Sequence, residues 1–239
     1  MLKFLPILLP IAYALLMYRF SVWRTKAMLD QASAPLKDAA VLDEVAKLAQ
    51  ALELPQIKVN VFEIDPVNGL AAPDGRIFLT RGFLAKHAAG EVTAAELASV
   101  VAHELGHVAL GHSRRRMIDF TGQNAVFVML SAVLNRFLPG LGIWIARIIA
   151  TALAARMSRR DEFEADAYAS ALLVKAGIGT GPQKTLFAKL GALTGGAGAG
   201  TPAWLMSHPK AAERIAAIAE NEVKWGVVPS MEDNPQGKG

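Results

Sequence analysis

One stretch of the chain, residues 94–113, is predicted to form a helix that carries two histidines on one face. Thr93 and Glu96 have the spacing of a capping box, in which the hydroxyl and the carboxylate each accept a hydrogen bond from an amide at the helix start. The residues that follow are mostly apolar, with His103 and His107 among them. Because positions four apart share a face of a helix, both imidazole rings can reach the same metal ion.

Glu104 lies between these two histidines and is rotated away from the face that they share. A carboxylate in this position can hold a water that a metal acidifies and take its proton, without itself being a ligand. An unpaired histidine or glutamate would be costly to bury in such an apolar helix, which favours a metal site over a chance match. The pattern is typical of zinc peptidases.

A third metal ligand has to come from another part of the chain. There is no cysteine, so any metal must be held by His, Asp and Glu side chains. An extended motif with a third histidine six residues after the second is absent, since position 113 is a serine. His112 falls about half a turn round the helix from His103, and we expect it to be a solvated residue at the helix end.

The acidic run from Asp161 to Asp166 supplies carboxylates for such a ligand. Glu162 and Asp166 are four residues apart on a predicted helix, so one can bind the metal while the other orients a ligand histidine. Glu164 falls on a different face. Without the upstream histidine pair, the same run would be interpreted as a charged, solvated segment of helix.

The composition and the placement of arginines point to a membrane. Hydrophobic residues make up 53% of the 239 and charged residues 19%, against about 45–50% and about 25% in ordinary soluble domains. The net charge is +4, and basic residues form clusters near residues 19–26, 114–116 and 156–160, each of which borders an apolar run. This pattern excludes nucleic acid as the expected partner and favours a lipid bilayer.

Residues 1–29 are predicted to form an N-terminal transmembrane anchor. From Phe4 to Trp23 there are 20 positions, interrupted only by Arg19 and one serine, which is long enough to span a bilayer. Positive charge is heavier after this run than before it, so we expect an inner-membrane protein whose remainder is cytoplasmic. The alternative is a cleaved signal peptide, although its small-residue site at 32–34 lies far beyond the apolar run.

Residues 30–228 are predicted to form one α+β domain that is mostly helical, followed by a polar tail at 229–239. Long helices with a small sheet inserted early in the chain are typical of that class. The alternation of apolar and polar residues predicts strands at 57–64 and 77–80, and helices at 38–52, 82–88, 182–192 and 209–225.

Two apolar arms within residues 120–155 are predicted to form a helical hairpin, and its second arm to continue as one helix to about residue 175. The apolar arms have about 14–16 residues, and Arg147 interrupts the second. Their length of about 21–24 Å is less than the hydrocarbon core of a bilayer at about 30 Å. We therefore favour a hairpin that is inserted shallowly or packed against protein over one that spans the membrane.

Taken together, these segments resemble the HtpX-like zinc metallopeptidases of metallopeptidase family 48, which are gluzincins. That family includes the prenyl-protein (CAAX) endopeptidases and a quality-control protease of the mitochondrial inner membrane. The resemblance covers about residues 40–220. It rests on HELGH at 103–107, RRDEFEADAY at 159–168, SHP at 207–209 and ERI at 213–215, together with NGLA at 68–71 and the segment 75–82.

The resemblance implies a zincin-like fold with one zinc ion bound by three side chains, which are those of His103, His107 and Glu162. It implies that Glu104 is the general base. It also implies that the Asp166 carboxylate orients a ligand histidine without binding the metal itself.

The resemblance also suggests residues around the substrate. His208 matches a family histidine near the site, where it could stabilise an oxyanion. Asn68 and the strand at 76–80 match the segment that lines the cleft, to which an extended substrate could add as a β-strand. Relatives often have alanine where this chain has Gly69. Arg214 is expected to form a structural ion pair.

These expectations add up to a membrane-anchored zinc endopeptidase that hydrolyses protein or peptide substrates, misfolded or membrane-associated, in protein quality control. One alternative is a non-catalytic chaperone or binding module that keeps zinc for structure. Another is an apolar helical scaffold in which the histidine pair is incidental. The sequence leaves the oligomeric state and the cleavage specificity open.

Overall fold

The computed structural model describes residues 5–72, 74–112, 127–193 and 211–227. The helices in these ranges are α1 (Leu5–Gln31), α2 (Ala39–Ala51), α3 (Arg81–Ala88), α4 (Ala94–Ala109), α5 (Phe127–Phe137), α6 (Leu141–Lys175), α7 (Gly181–Leu193) and α8 (Ala211–Trp225). The strands are β1 (Ser33–Pro35), β2 (Val59–Phe62), β3 (Gly69–Ala71) and β4 (Ile77–Thr80). The chain is mostly helical with a small mixed sheet, as the sequence predicted.

The sheet has the order β1-β2-β4-β3. β2 and β4 are parallel, with Val59 opposite Ile77, whereas β1 and β3 are antiparallel to their neighbours. β4 is therefore an inner strand, and all four of its residues are buried. Both of its edges are paired, so the prediction that an extended substrate adds to the strand at 76–80 is wrong. The strand at the sheet edge on this side is β3.

The capping box that opens α4 is present, with hydrogen bonds between Thr93 and Glu96 in both directions. α4 is the central helix of the core and packs against α2, α6 and α7. It ends at Ala109, four residues earlier than predicted. Gly111 has a φ of +65°, so the chain leaves the helical path there and turns back towards α4.

The close packing of α4 on α6 depends on Gly106. A Cβ atom at this residue would lie 3.0 Å from the carbonyl oxygen and 3.1 Å from the Cα of Ala165. Glycine thus allows the two backbones to approach more closely than any other residue would. The approach brings the acidic run of α6 against the two histidines of α4.

The apolar hairpin is present over the part of residues 120–155 that the structure describes, and its second arm continues to Lys175, as predicted. The two arms meet at a tight turn, where the Asn135 side chain accepts a hydrogen bond from the amide of Gly140. Large apolar side chains of both arms point into solvent, among them Phe137 at 74% and Trp144 at 61% exposure. In this part of the chain the hairpin is therefore not packed against protein.

α1 covers the described part of residues 1–29, the segment that the sequence predicts to be an anchor. Its last turn packs against the sheet region through Leu29, which is buried against Ala72 and Phe78. The preceding part exposes large apolar side chains, including Tyr13 and Trp23 at 65% each. The small-residue site at 32–34 leads into β1, which pairs with β2. Of the described helices, α6 is the one long and apolar enough to cross a membrane by length and composition.

Candidate metal centre

Three side chains from two helices converge on one point. His103 and His107 project from α4 and Glu162 from α6. The Nε2 atoms of the two histidines are 3.1 Å apart. Glu162 places Oε2 3.3 Å from Nε2 of His103 and Oε1 3.5 Å from Nε2 of His107. The structure therefore brings together the three residues that the sequence suggested as ligands.

The spacing of these atoms fits a tetrahedral zinc site. With zinc–ligand bonds of about 2.0–2.1 Å, two tetrahedral ligands are about 3.4 Å apart. The two Nε2 atoms are 3.1 Å apart, and each lies 3.3 or 3.5 Å from one of the two Glu162 oxygens, all close to that value. Two imidazoles and a carboxylate are also a donor set that zinc accepts, with a fourth position left for a water or a substrate.

Asp166 lies behind His103 and fixes the orientation of its ring. Its Oδ1 is 2.9 Å from Nδ1 of His103, which leaves Nε2 pointing at Glu162. Burial alone would lower the pKa of His103, but the bonds to Asp166 and Glu162 raise that pKa to about 9. The two carboxylates thus favour positive charge at this ring, whether a proton or a metal cation carries it.

Arg214 of α8 holds Asp166 in place. Its guanidinium donates two hydrogen bonds of 2.6 Å to the carboxylate, one from Nε and one from Nη2. Both side chains are buried, and the guanidinium stacks 3.9 Å from the ring centre of Phe187. Burial alone would raise the pKa of Asp166, but the bonds and charge of Arg214 hold it below its usual value. Arg214 is in an ion pair, as expected.

Glu104 faces an open cleft beside the three donors. The cleft has an empty volume of about 470 Å³, part of which is open to solvent. Its walls are mostly apolar and include Val67, Asn68, Gly69, Phe83, Val100, Glu104, Leu186, Phe187 and Leu190. A half-exposed carboxylate next to His103 can reach both a water at the metal position and a peptide lying in the cleft.

Asn68 and β3 form one wall of this cleft. The amide of Asn68 donates to Oγ1 of Thr80, and its carbonyl accepts from the amide of Thr80, both at 3.0 Å. These bonds fix the start of β3 against β4. Gly69 then crosses α4 so closely that a Cβ atom would lie 2.4 Å from Cγ1 of Val100 and 3.5 Å from Oε1 of Glu104. The edge strand thus runs directly beside the carboxylate.

Comparison with known proteins identifies the arrangement. The model of Peptidase family M48 matches residues 35–222 of the chain. The chain belongs to Peptidase family M48. Metalloprotease LoiP of Escherichia coli (strain K12) is 28% identical over 229 residues, which cover 88% of this chain and 85% of LoiP.

Two further relatives are similar over shorter regions. Metalloprotease YcaL of Escherichia coli (strain K12) is 30% identical over 74% of this chain and 68% of its own length. The mitochondrial metalloendopeptidase OMA1 of Arabidopsis thaliana is 32% identical over 66% of this chain, which spans only 30% of that longer protein. As an M48 metallopeptidase, the chain is a hydrolase of peptide bonds that works with a metal ion.

His112 is the residue of this M48 peptidase that the sequence misplaced. Periodicity predicted a solvated side chain at the end of the helix, yet only 1% of His112 is exposed. Its Nδ1 lies 2.8 Å from Nδ1 of His107. The prediction extended helical spacing beyond Ala109, where the helix has already ended. The glycine at 111 is a helix stop signal that indicates this turn.

Two other predicted features of the peptidase lie outside the described residues. His208 falls in the segment 194–210, and the polar tail at 229–239 follows the last described residue.

The sequence did not indicate any role for Gln183 near the site. This side chain is buried on α7, where it accepts from Ser170 at 2.7 Å and donates to the backbone carbonyl of Asp166 at 3.3 Å. A lone glutamine in an apolar helix carries no sequence signal for such a partner.

Proposed function

We propose that this M48 metallopeptidase is a zinc endopeptidase held at a membrane, where it cleaves misfolded or membrane-associated proteins. The observation that carries the proposal is the convergence of two imidazole Nε2 atoms 3.1 Å apart with the two oxygens of Glu162, which lie 3.3 and 3.5 Å from them, beside the partly exposed carboxylate of Glu104. His103, His107 and Glu162 hold the ion. When bound, zinc lowers the pKa of a water and polarises a carbonyl group.

The chain's own residues then perform the proton transfers. Glu104 faces the cleft, takes a proton from the attacking water and delivers it to the amine that leaves. Asp166 and Arg214 keep His103 from rotating, so that the donors stay aligned throughout the reaction. His208 is proposed to donate a hydrogen bond to the oxyanion.

The substrate backbone is proposed to lie in an extended conformation along β3. This strand is at the edge of the sheet and runs beside Glu104. An extended segment can pair with the backbone groups of such an edge without any requirement for its sequence. Asn68 stands at the start of β3 in the cleft wall and is proposed to contact the substrate. This mode of binding suits internal peptide bonds and hence an endopeptidase.

Membrane attachment is supported by apolar surface in two places, α1 and the hairpin of α5 and α6. Their exposed large side chains include Trp23, Phe137 and Trp144. Surface of this kind on a monomer marks contact with lipid or protein. We propose an inner-membrane location with the peptidase domain in the cytoplasm, because arginines and a lysine follow the apolar run of α1.

The catalytic proposal is tested with purified, zinc-loaded protein and casein as the substrate. Glu104→Gln should retain one zinc per chain and lose at least about 100-fold in rate, since general base catalysis contributes about 10²–10⁴-fold. The matched control is Glu220→Gln, on the exposed face of α8. Wild-type activity that Glu104→Gln leaves intact, or wild-type protein without stoichiometric zinc, would contradict the proposal.

The membrane proposal is tested in cells by alkaline carbonate extraction and by a reporter fused after Gly239. The full chain should stay in the membrane pellet, and a reporter that is active only in the cytoplasm should be active. Protein released into the supernatant would contradict membrane insertion. A reporter that is active only outside the cytoplasm would reverse the orientation.

A further inference from the structure

We propose that His112 is a positioning residue that fixes the ring of His107 for metal binding. This inference rests on the proposed function, because it takes His107 as a zinc ligand. His107 and His112 lie edge to face, with ring centres 4.9 Å apart and planes at 72°. Their closest atoms are the two Nδ1 atoms at 2.8 Å, a hydrogen-bond distance.

The positions of the ring protons determine which of the two histidines donates this hydrogen bond. The Nε2 of His107 faces His103 and Glu162 and is the atom that binds the metal. A neutral imidazole bound through Nε2 carries its proton on Nδ1. That N–H points at Nδ1 of His112, which must therefore be the acceptor.

The far side of His112 supports the same tautomer. If its Nδ1 accepts, the proton of the neutral ring is on Nε2. This Nε2 faces two carboxylates of α6, with Oε2 of Glu164 at 3.4 Å and Oδ1 of Asp161 at 4.0 Å. Glu164 is itself held by a 2.8 Å bond from Nε of Arg160. The Glu164 carboxylate can accept a hydrogen bond from this Nε2–H, which keeps the proton on the side away from His107.

Each of the two proposed zinc-binding histidines is thus oriented by a different carboxylate of the acidic run. Asp166 contacts His103 directly, whereas Glu164 acts on His107 through His112. The turn at Gly111 makes the second arrangement possible, because it brings His112 back against α4. Partners of this kind fix the orientation and tautomer of a metal ligand and commonly change metal affinity by about 10–100-fold.

A second metal ion at His112, Asp161 and Glu164 is the competing interpretation, since donor atoms of these residues lie within 4.8 Å of one another. Such an ion would need the lone pair of Nε2. With zinc on His107, that nitrogen carries the proton, so the geometry favours one ion and a hydrogen-bonded histidine. A zinc content of two per chain that falls to one in a His112 variant would overturn the proposal.

The test measures zinc affinity by competition with a chelator, together with the absorption spectrum of the Co²⁺-substituted protein. His112→Asn keeps an acceptor near the Nδ1 position, whereas His112→Leu has a similar size and no acceptor. We expect zinc affinity to fall about 10–100-fold in His112→Leu and to stay within about threefold of wild type in His112→Asn. The Co²⁺ spectrum should shift in the leucine variant alone. His87→Phe, which changes a histidine outside the site, should leave both unchanged.

Equal affinities in the asparagine and leucine variants would overturn the proposal. If His112→Leu does not fold, Glu164→Leu on the half-exposed face of α6 replaces it. That variant should weaken zinc binding several-fold and leave the thermal unfolding of the metal-free protein nearly unchanged; unaltered affinity would overturn the proposal. These two results can be distinguished from a failure of the proposed function itself. In that case wild-type protein would lack stoichiometric zinc, or Glu104→Gln would stay active.

Discussion

Gly106 lies against Ala165, so close that a methyl group at residue 106 would come within 3.0 Å of the Ala165 carbonyl oxygen. This contact sets the distance between the helix that carries the two histidines and the helix that carries their carboxylates. A glycine inside a helix usually lowers stability relative to alanine. Here the close approach of two backbones offsets that cost.

We predict that Gly106→Ala pushes α4 and α6 apart. Overpacking of this kind costs about 1–3 kcal/mol of unfolding free energy, and the separated donors should bind zinc at least about tenfold more weakly. Urea unfolding and chelator competition measure the two effects. Gly191→Ala is the matched control, since no atom of the described residues lies within 4 Å of its added methyl group. A Gly106→Ala variant that matches this control would refute the role of the contact.

The ion pair of Arg214 and Asp166 leads to a second prediction. Arg214→Met leaves a buried carboxylate without its guanidinium, and such losses cost about 3–5 kcal/mol. Arg214→Lys keeps the charge but not the two parallel bonds, so it should restore part of the stability. Urea unfolding of the metal-free proteins should give a free energy of unfolding that is highest for wild type, intermediate for Arg214→Lys and lowest for Arg214→Met. A methionine variant as stable as wild type would mean that the pair contributes nothing net.

Gly69 and Val100 provide a third prediction, based on a double variant. Gly69→Ala places a methyl group 2.4 Å from Cγ1 of Val100, so β3 must move away from Glu104. We expect kcat/KM to fall about tenfold or more with zinc content unchanged, because small displacements at a reacting centre are costly. Adding Val100→Ala removes the clash and should restore most of the activity. If the double variant is no better than Gly69→Ala, the clash is not the cause.

A fourth prediction concerns stability and pH at Glu96, which joins α4 to α7. Burial alone would raise the pKa of Glu96, but hydrogen bonds from Lys189, the Thr93 amide and Thr185 hold it below the ordinary value of 4.5. A carboxyl whose pKa is lowered by folding stabilises the protein above the unfolded-state pKa, and the effect disappears as pH falls through the folded-state value.

Glu96→Gln should therefore destabilise the protein at pH 7, and the difference from wild type should shrink below about pH 4.5. Urea unfolding at several pH values measures this, with the exposed Glu220→Gln as the control. A difference that stays constant with pH would show that packing, rather than charge, is responsible.

Local spacing predicted the parts of the site that lie on regular helices. The capping box and the pair at 103 and 107 lie within one helix, and Glu162 and Asp166 within another, so periodicity alone places each pair on a common face. The contact of Arg214 with Asp166 joins residues 48 positions apart, and no local pattern contains it. The resemblance indicated an ion pair for Arg214 but not its partner.

The errors have equally local causes. His112 was misplaced because the helix was extended past the stop at Gly111. The sequence does not show that the strand at 76–80 is an inner strand, because the strand order depends on β3. This strand has three residues and lies in a segment rich in turn-forming residues. Such a short strand forms because β4 offers it partners, and its own sequence contains little signal.

α6 runs without interruption from the apolar hairpin into the acidic run. Glu162 follows Ala155 by seven residues, which is about 10 Å along a helix axis. If the bilayer holds the hairpin up to Ala155 and α6 runs along the membrane normal, the rigid helix fixes the distance of the reacting bond from the lipid surface. About three residues of extended chain cover that distance, so the enzyme would select bonds by their depth relative to the membrane as well as by their side chains.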